Sequence, residues 1–272
     1  MNSSGHTTQA SPPGADLPPL EGYLDTLVDR VMARVDRTIV DGDPMFDGSV
    51  EQYFRACADA LRAVLGALLS TGNGAPRRVL DFGCGHGRVL RGLRAAFPAA
   101  ELLACDTDED AVARCGTAFG ATPIAGELDV IDIQQVHGVD LIWCGSVLTH
   151  FDPAQWDLFL RYFARALNPG GVVVTTIHGR RVAWRARQGA EYGLGARATD
   201  RLLATYHACG QAYEGQGEGW YGISLCSPGS TVDRAARAPG LRLACYQEAA
   251  WDRHQDVLVL VKDAETTLWT AP

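Results

Sequence analysis

The chain has 272 residues, 47% of them apolar and 21% charged, enough to bury a core without disulfides or metals. With 24 Lys and Arg against 32 Asp and Glu its formal charge is −8, which argues against a surface built to neutralise the phosphates of DNA or RNA. No apolar run approaches the ~18–20 residues of a membrane span, and the opening MNSSGHTTQASPPGADLPPL has neither the basic region nor the apolar core of a signal peptide. The 8 cysteines form no CxxC pair, and Cys105, Cys144 and Cys245 lie in apolar runs, so reduced thiols and a cytoplasmic location are expected.

Residues 1–20 read as a disordered tail. Leu24, Leu27, Val28, Val31, Val35 and Ile39 then recur at the spacing of an amphipathic helix. A turn-rich break at 41–49 leads to a second helix over 50–69, with Tyr53, Phe54, Cys57, Leu61, Val64, Leu65 and Leu68 on one side. Residues 21–70 are thus expected as an N-terminal helical extension, and TGNGAPR (71–77) opens the main domain, 71–272. From 78 onward strands and helices alternate. Strands are expected at 78–82, 101–106, 122–126, 139–146 and within 168–179; helices at 86–97, 108–119 and 152–167. Asp108 caps the second of these, and Gly120 ends it. Apolar strands alternating with short helices imply a parallel sheet covered on both faces. The stretch 180–239 reads as an insertion, with helical pieces at 182–188 and 199–208 and then a loop-rich run. Strands 241–251 and 256–263 close the domain.

The run VLDFGCGHGRVL (79–90) carries the chemistry. A strand ends at Asp81, glycines follow at 83, 85 and 87, and a helix is expected to begin at once. Such a turn lets the backbone approach a ligand closely, and a helix N-terminus would offer N–H groups to an anion. Asp106 ends the next strand, where a carboxylate can accept hydrogen bonds from both hydroxyls of a ribose. A dinucleotide site would want GxGxxG without an acid in the strand. The pattern GxGxG after Asp81 suits instead one adenosine with an amino-acid tail, as in S-adenosylmethionine (SAM).

On LDFGCGHG (80–87), LLACDTD (102–108), DLIWCGSVLTHF (140–151) and ALNPGGVVVTTIHG (166–179), the chain resembles the class I SAM-dependent methyltransferases. YGISL and the W-x-x-H-Q-D ending (Trp251, His254, Gln255, Asp256) are shared with a narrower, actinobacterial-type subgroup. The resemblance implies an α/β, Rossmann-like fold: a mostly parallel seven-stranded sheet with an antiparallel last strand and helices on both faces. It also implies SAM as cofactor. Asp81, Gly83, Cys84 and Gly85 would surround its methionine part, Asp106 would bind the ribose, and Thr107 would border the adenine. Cys144 and Gly145 would lie where the methyl group meets the substrate, and Glu127 or Asp129 would follow the third strand.

Methyl transfer needs alignment and water exclusion, with a base optional. His150 and His178 follow strands on the ligand-binding rim and are the candidate catalytic bases. Each has a plainer use, such as hydrogen bonding to nearby backbone. His254 and Asp256 lie in the last loop, and Gly219-Trp220-Tyr221-Gly222 suits a cover over an acceptor or simple packing. Tyr53 and Phe54 could close over the cofactor or belong to the core. Arg180, Arg181, Arg185 and Arg187 form an anion clamp or a solvated helix face. The histidines show no HxH or HxxxH spacing, so no metal site is expected. The expected activity is methyl transfer to O or N of a small or medium-sized acceptor such as a natural product, a sugar or a related metabolite, with no nucleic-acid or membrane partner. The alternatives are a non-methylating enzyme on the same fold, a non-catalytic module holding SAM or its product, and a dehydrogenase. The sequence names neither an acceptor nor an oligomeric state.

Overall fold

The structure is a computed structural model and describes residues 20–127, 130–131, 136–217 and 221–263. The expected tail up to residue 19, Asp129, Gly219 and Trp220 lie outside the described residues, and nothing is described of the Glu127 side chain. Among the described residues no helix is long and apolar enough to cross a membrane.

The centre is β1 (Arg78–Phe82), parallel to β2 (Glu101–Asp106) on one side and to β5 (Val139–Cys144) on the other. Beyond β2 lie β3 (Thr122–Glu127) and the two-residue β4 (Val130–Ile131), which runs antiparallel to β3. Beyond β5 lies the parallel β6 (Leu167–Ile177), then the antiparallel β10 (Gln255–Lys262), then β9 (Leu241–Trp251) at the edge. The expected seven strands are all present, and the last in sequence is the antiparallel one. Strand order reverses between β1 and β5, and a crevice opens beyond their carboxyl ends.

Strand alternation divides the core. Leu80, Phe82, Leu103, Ile142, Cys144 and Val173 point to the face covered by Trp156, Phe159 and Phe163 of α5 (Pro153–Ala166). Val79, Leu102, Leu141, Trp143 and Val172 point to the other, against α2 (Val50–Ser70), α3 (Leu90–Ala96) and α4 (Glu109–Phe119). Asp152 caps α5 through a reciprocal capping box with Gln155, and Asp108 caps α4 by accepting from Ala111 N. Before α2, α1 (Leu20–Met32) packs Val28 and Val31 on Tyr53, Phe54 and Leu61.

Three expectations change. Helix α1 ends at Met32, so Val35 and Ile39, expected on its apolar stripe, lie beyond it. Helix α3 begins at Leu90 rather than His86, because Gly85 and Gly87 have φ of 46° and 81°, outside the right-handed helical region. The loop-rich run after 208 holds a hairpin, β7 (Gln211–Gly215) with β8 (Gly222–Cys226), followed by α8 (Pro228–Arg237) capped by Ser227. The hairpin packs with α6 (Arg180–Arg187) and α7 (Ala196–Cys209) in a small core of its own built on Val182, Leu202, Leu203, Ile223 and Leu225.

Candidate active site

The glycine-rich turn is bound to its own strands. The N–H groups of Gly83 and Cys84 both donate to Cys105 O (2.8 and 3.1 Å), Gly87 N to Cys84 O (3.0 Å), and Gly85 N to Asp106 Oδ2 (2.8 Å). These four amides are therefore already engaged, and with α3 starting three residues later the expected anion site at a helix N-terminus is not formed by them. A Cβ on Gly83 would collide with Val147, and one on Gly87 with Phe119. A Cβ on Gly85 would meet nothing and would project into open space. Asp106 also accepts from Asp108 N through Oδ1 (3.1 Å), so its carboxylate fixes both the turn and the start of α4.

Beyond these strand ends lies a cavity of about 340 Å³. Asp81, Gly83, Cys84, Gly85, Asp106 and Thr107 line it, as does Gly145. Both Asp81 carboxyl oxygens are buried without a hydrogen-bond partner, and burial, reinforced by Asp106, pushes its pKa up to about 8. Arg88, directly after the glycine turn, also faces the cavity. Its guanidinium lies 5.4 Å from the Trp251 ring centroid and 6.0 Å from that of Tyr53, and burial lowers its pKa. Among the described residues it has no hydrogen bond or ion pair. Two carboxylates whose charges act on it are committed elsewhere: Asp43 accepts from Met45 N and Tyr53 Oη, and Asp252 from Gln52 and Arg55.

On the far wall Cys144 does not line the cavity. Its neighbour Trp143 does, because alternation turns the Cys144 thiol into the opposite core, where burial raises its pKa. The wall is continued by Ser146, a non-glycine residue at φ 61°. Ser146 N donates to Thr176 Oγ1 (2.7 Å), Thr176 Oγ1 to Gln255 Oε1 (2.6 Å), and Gln255 Nε2 to Ser146 Oγ (2.9 Å), a closed ring. Trp251 stacks edge-on against Trp143 at 5.6 Å and donates to Ala56 O of α2 (2.8 Å). Asp256 is buried away from the cavity, accepting from Tyr246 Oη and Ala249 N and filling the space a Cβ on Gly179 would need.

The two candidate histidines separate. His150, on a 3-10 turn after β5, lines the cavity. Its Nδ1–H donates to Gly222 O (2.9 Å), Nε2 lies 3.1 Å from Tyr221 Oη, and the two rings stack at 4.1 Å. Burial lowers its pKa. His178 is not among the lining residues. It is buried behind His150, ring centroids 6.3 Å apart, with His254 5.8 Å away on its other side. Desolvation, with His254 and His150 beside it, pushes its pKa down to about 3. Of the arginine group, Arg180 pairs with Glu248 at the surface and Arg185 contacts His254.

Tyr221, read from sequence as part of a cover or as packing, lines the cavity, whereas Arg88, Ser146, Trp251 and the Pro44–Met45 cover are lining residues given no site role from sequence. Arg88 had a signal in its place one residue after the third glycine. Ser146 had none, because its positive φ is set by Thr176 and Gln255, distant in sequence.

Residues 80–173 match the family model described as a methyltransferase domain. Over 134 residues the chain is 29% identical to trans-aconitate 2-methyltransferase of Acidovorax ebreus (strain TPSY), spanning 47% of this chain and 49% of that one. It is 31% identical to malonyl-[acyl-carrier protein] O-methyltransferase of Bacteroides fragilis (strain 638R), over 48% of this chain and 26% of that one. The chain thus spans about half, or less, of the length of the curated relatives it matches. Among solved structures, the 1,6-didemethyltoxoflavin-N1-methyltransferase of Burkholderia thailandensis, with 1,6-didemethyltoxoflavin and S-adenosylhomocysteine bound, superposes with a TM-score of 0.53 at 15% identity over 95% of this chain and 99% of that one. The match to the methyltransferase domain model is thus confined to residues 80–173, and the fold is shared with that solved structure. An S-adenosyl group fits the residues present: a buried unpartnered carboxyl, a turn left open at Gly85, an acid at the end of β2 and an unpaired guanidinium share one cavity.

Proposed function

We propose that the protein is a cytoplasmic SAM-dependent methyltransferase acting on O or N of a small or medium-sized acceptor. The observation that carries this reading is the buried, unpartnered Asp81 facing the same cavity as the unpaired Arg88. A buried acid and a half-buried cation without hydrogen-bond partners are costly unless a ligand supplies both opposite charges, and the amino-acid end of SAM does so. Asp81 would take the ammonium, Arg88 the carboxylate, and Asp106 the ribose hydroxyls, with Thr107 beside the adenine. When bound, SAM supplies a methyl group on a positively charged sulfur. The chain then has to align the acceptor and keep water away. Met45, Phe151 and Trp251 furnish the apolar walls, and His150 stands on the acceptor side of the cavity as a base. The substrates in the relatives' names, trans-aconitate and a malonyl group, are carboxylates; this cavity's one Arg is assigned to the cofactor, which supports an acceptor of another chemistry.

Titration calorimetry tests the assignment. Arg88→Met should weaken SAM about 10- to 100-fold, the range of a lost charged hydrogen bond, while leaving methylthioadenosine, which lacks the amino-acid end, at wild-type affinity. Asp106→Ala should weaken both ligands. Wild-type SAM affinity in the two variants together would remove the reading.

A further inference from the structure

We propose that the Ser146 hydroxyl is a hydrogen-bond donor held for the acceptor, and that the acceptor accordingly turns a bare lone pair, on a carbonyl oxygen or a ring nitrogen, toward this wall of the cavity. The inference rests on the methyltransferase reading and goes beyond it in naming a specificity-determining residue and the class of acceptor it selects. The directions of the hydrogen bonds around Ser146 carry it. Its backbone N–H can only donate, so Thr176 Oγ1 accepts at 2.7 Å and has to place its own proton elsewhere. Thr176 is fully buried, and Gln255 Oε1 takes that proton at 2.6 Å. The Gln255 amide is thereby oriented, with Nε2 donating to Ser146 Oγ at 2.9 Å. Turned over, the amide would leave the Thr176 proton buried without an acceptor. Ser146 Oγ thus serves the ring as an acceptor, and its own proton stays outside the ring. Among the described residues no group accepts that proton. Ser146 is half-buried and lines the cavity, so the proton is within a ligand's reach.

The backbone points the same way. A φ of 61° suits glycine, and the chain uses glycine for φ of 81°, 46° and 81° at residues 83, 85 and 87 of the same site. At 146 it keeps a side chain against that preference, with two buried polar residues holding it in place. Thr176 belongs to β6 and Gln255 to β10, which lie on the side of β5 away from Asp81 of β1 and Asp106 of β2. The hydroxyl therefore stands in the acceptor's half of the cavity. Trp143, Phe151 and Trp251 supply flat apolar walls there. In such surroundings a ligand that leaves a polar group of the site unpaired is rejected in favour of one that pairs it.

The test uses the full chain loaded with S-adenosylhomocysteine and two pairs of flat ligands of matched shape, 3-hydroxyquinoline with 2-naphthol and 1-indanone with indane. Within each pair only the first offers the additional lone pair. Titration calorimetry reads the ratio of the two affinities. Ser146→Ala should lower the preference for the first member about 10-fold, the size of one lost hydrogen bond, at unchanged affinity for S-adenosylhomocysteine. Ser146→Gly, which suits the local φ, should lower it equally and keeps the test open should the alanine variant fold poorly. A merely structural role would weaken both members alike and leave the ratio where it was. The inference is overturned by an unchanged ratio in either folded variant, or by a loaded protein that binds none of the four ligands. Absence of S-adenosylhomocysteine binding would instead bring down the methyltransferase reading itself.

Discussion

Asp81 shows how a single residue can be legible in type and illegible in state. Its place two residues before the first glycine marks it from sequence alone. That both its oxygens are buried without partners follows only from the packing of β1 between β2 and β5. Desolvation lifts its pKa from 3.8 to about 8. Between those values the folded protein holds a proton that the unfolded chain releases. Folding therefore loses stability as pH rises through the window, by about 1.4 kcal/mol per unit. Below about pH 4 both states are protonated, and above about pH 8 the loss is complete. Asp81→Asn removes this titration. The ligand-free variant should melt above wild type at neutral and alkaline pH, with the gap closing toward pH 4, and should bind SAM more weakly. Thermal melts across that range, with and without SAM, check both halves. A gap that widens on acidification would contradict the assigned protonation state. Cys144 is the opposite case: its place at a strand end suggested a cavity role, but a period of two along β5 gives the cavity to Trp143 and Gly145 instead.

At the scale of elements, periodicity made the sheet readable and left its rim obscure. Strands β1, β2, β5 and β6 are apolar runs whose alternation with helices implies a parallel sheet covered on both faces, though not its strand order. The β7–β8 hairpin is rich in Gly, Ser and polar residues, and what holds it is packing against α6 and α7, which no local pattern announces. Yet this hairpin carries Gly222, the partner of His150. The junction of β5, β6 and β10 is similarly non-local. Thr176 and Gln255 are both buried and lie 79 residues apart, and together they hold Ser146 in a left-handed conformation. Gln255→Leu keeps much of the volume but leaves the Thr176 hydroxyl without its acceptor. A loss of about 1–3 kcal/mol of stability is expected, with a raised acceptor KM and SAM affinity near wild type. Denaturant melts and steady-state kinetics read these separately. An unchanged KM would show that Ser146 keeps its place without the ring.

At the scale of the whole molecule, the cavity is where otherwise separate parts meet. Helix α2 reaches the closing strands through Trp251 Nε1 donating to Ala56 O, and through Gln52 and Arg55 on Asp252. The segment before α2 lays Pro44 and Met45 over the opening, pinned by Asp43 to Tyr53. The hairpin supplies Tyr221 from the other side. From sequence the N-terminal helices read as an extension and 180–239 as an insertion, which describes their order in the chain but not this convergence. A ligand that binds only the folded state stabilises every part coupled to its site, by about 2.7 kcal/mol at a hundredfold excess over Kd. If the three parts open as one unit, hydrogen exchange at that excess of S-adenosylhomocysteine should slow by about 100-fold in α2 and β8 as well as at residues 83–106. If instead the helices and the hairpin are loosely attached, protection will rise only at the glycine turn and β2, because segments that open independently do not share in the binding free energy. Protection confined to 83–106 would thus limit the site to the parallel sheet and deprive Met45 and Tyr221 of their assigned places around the ligand.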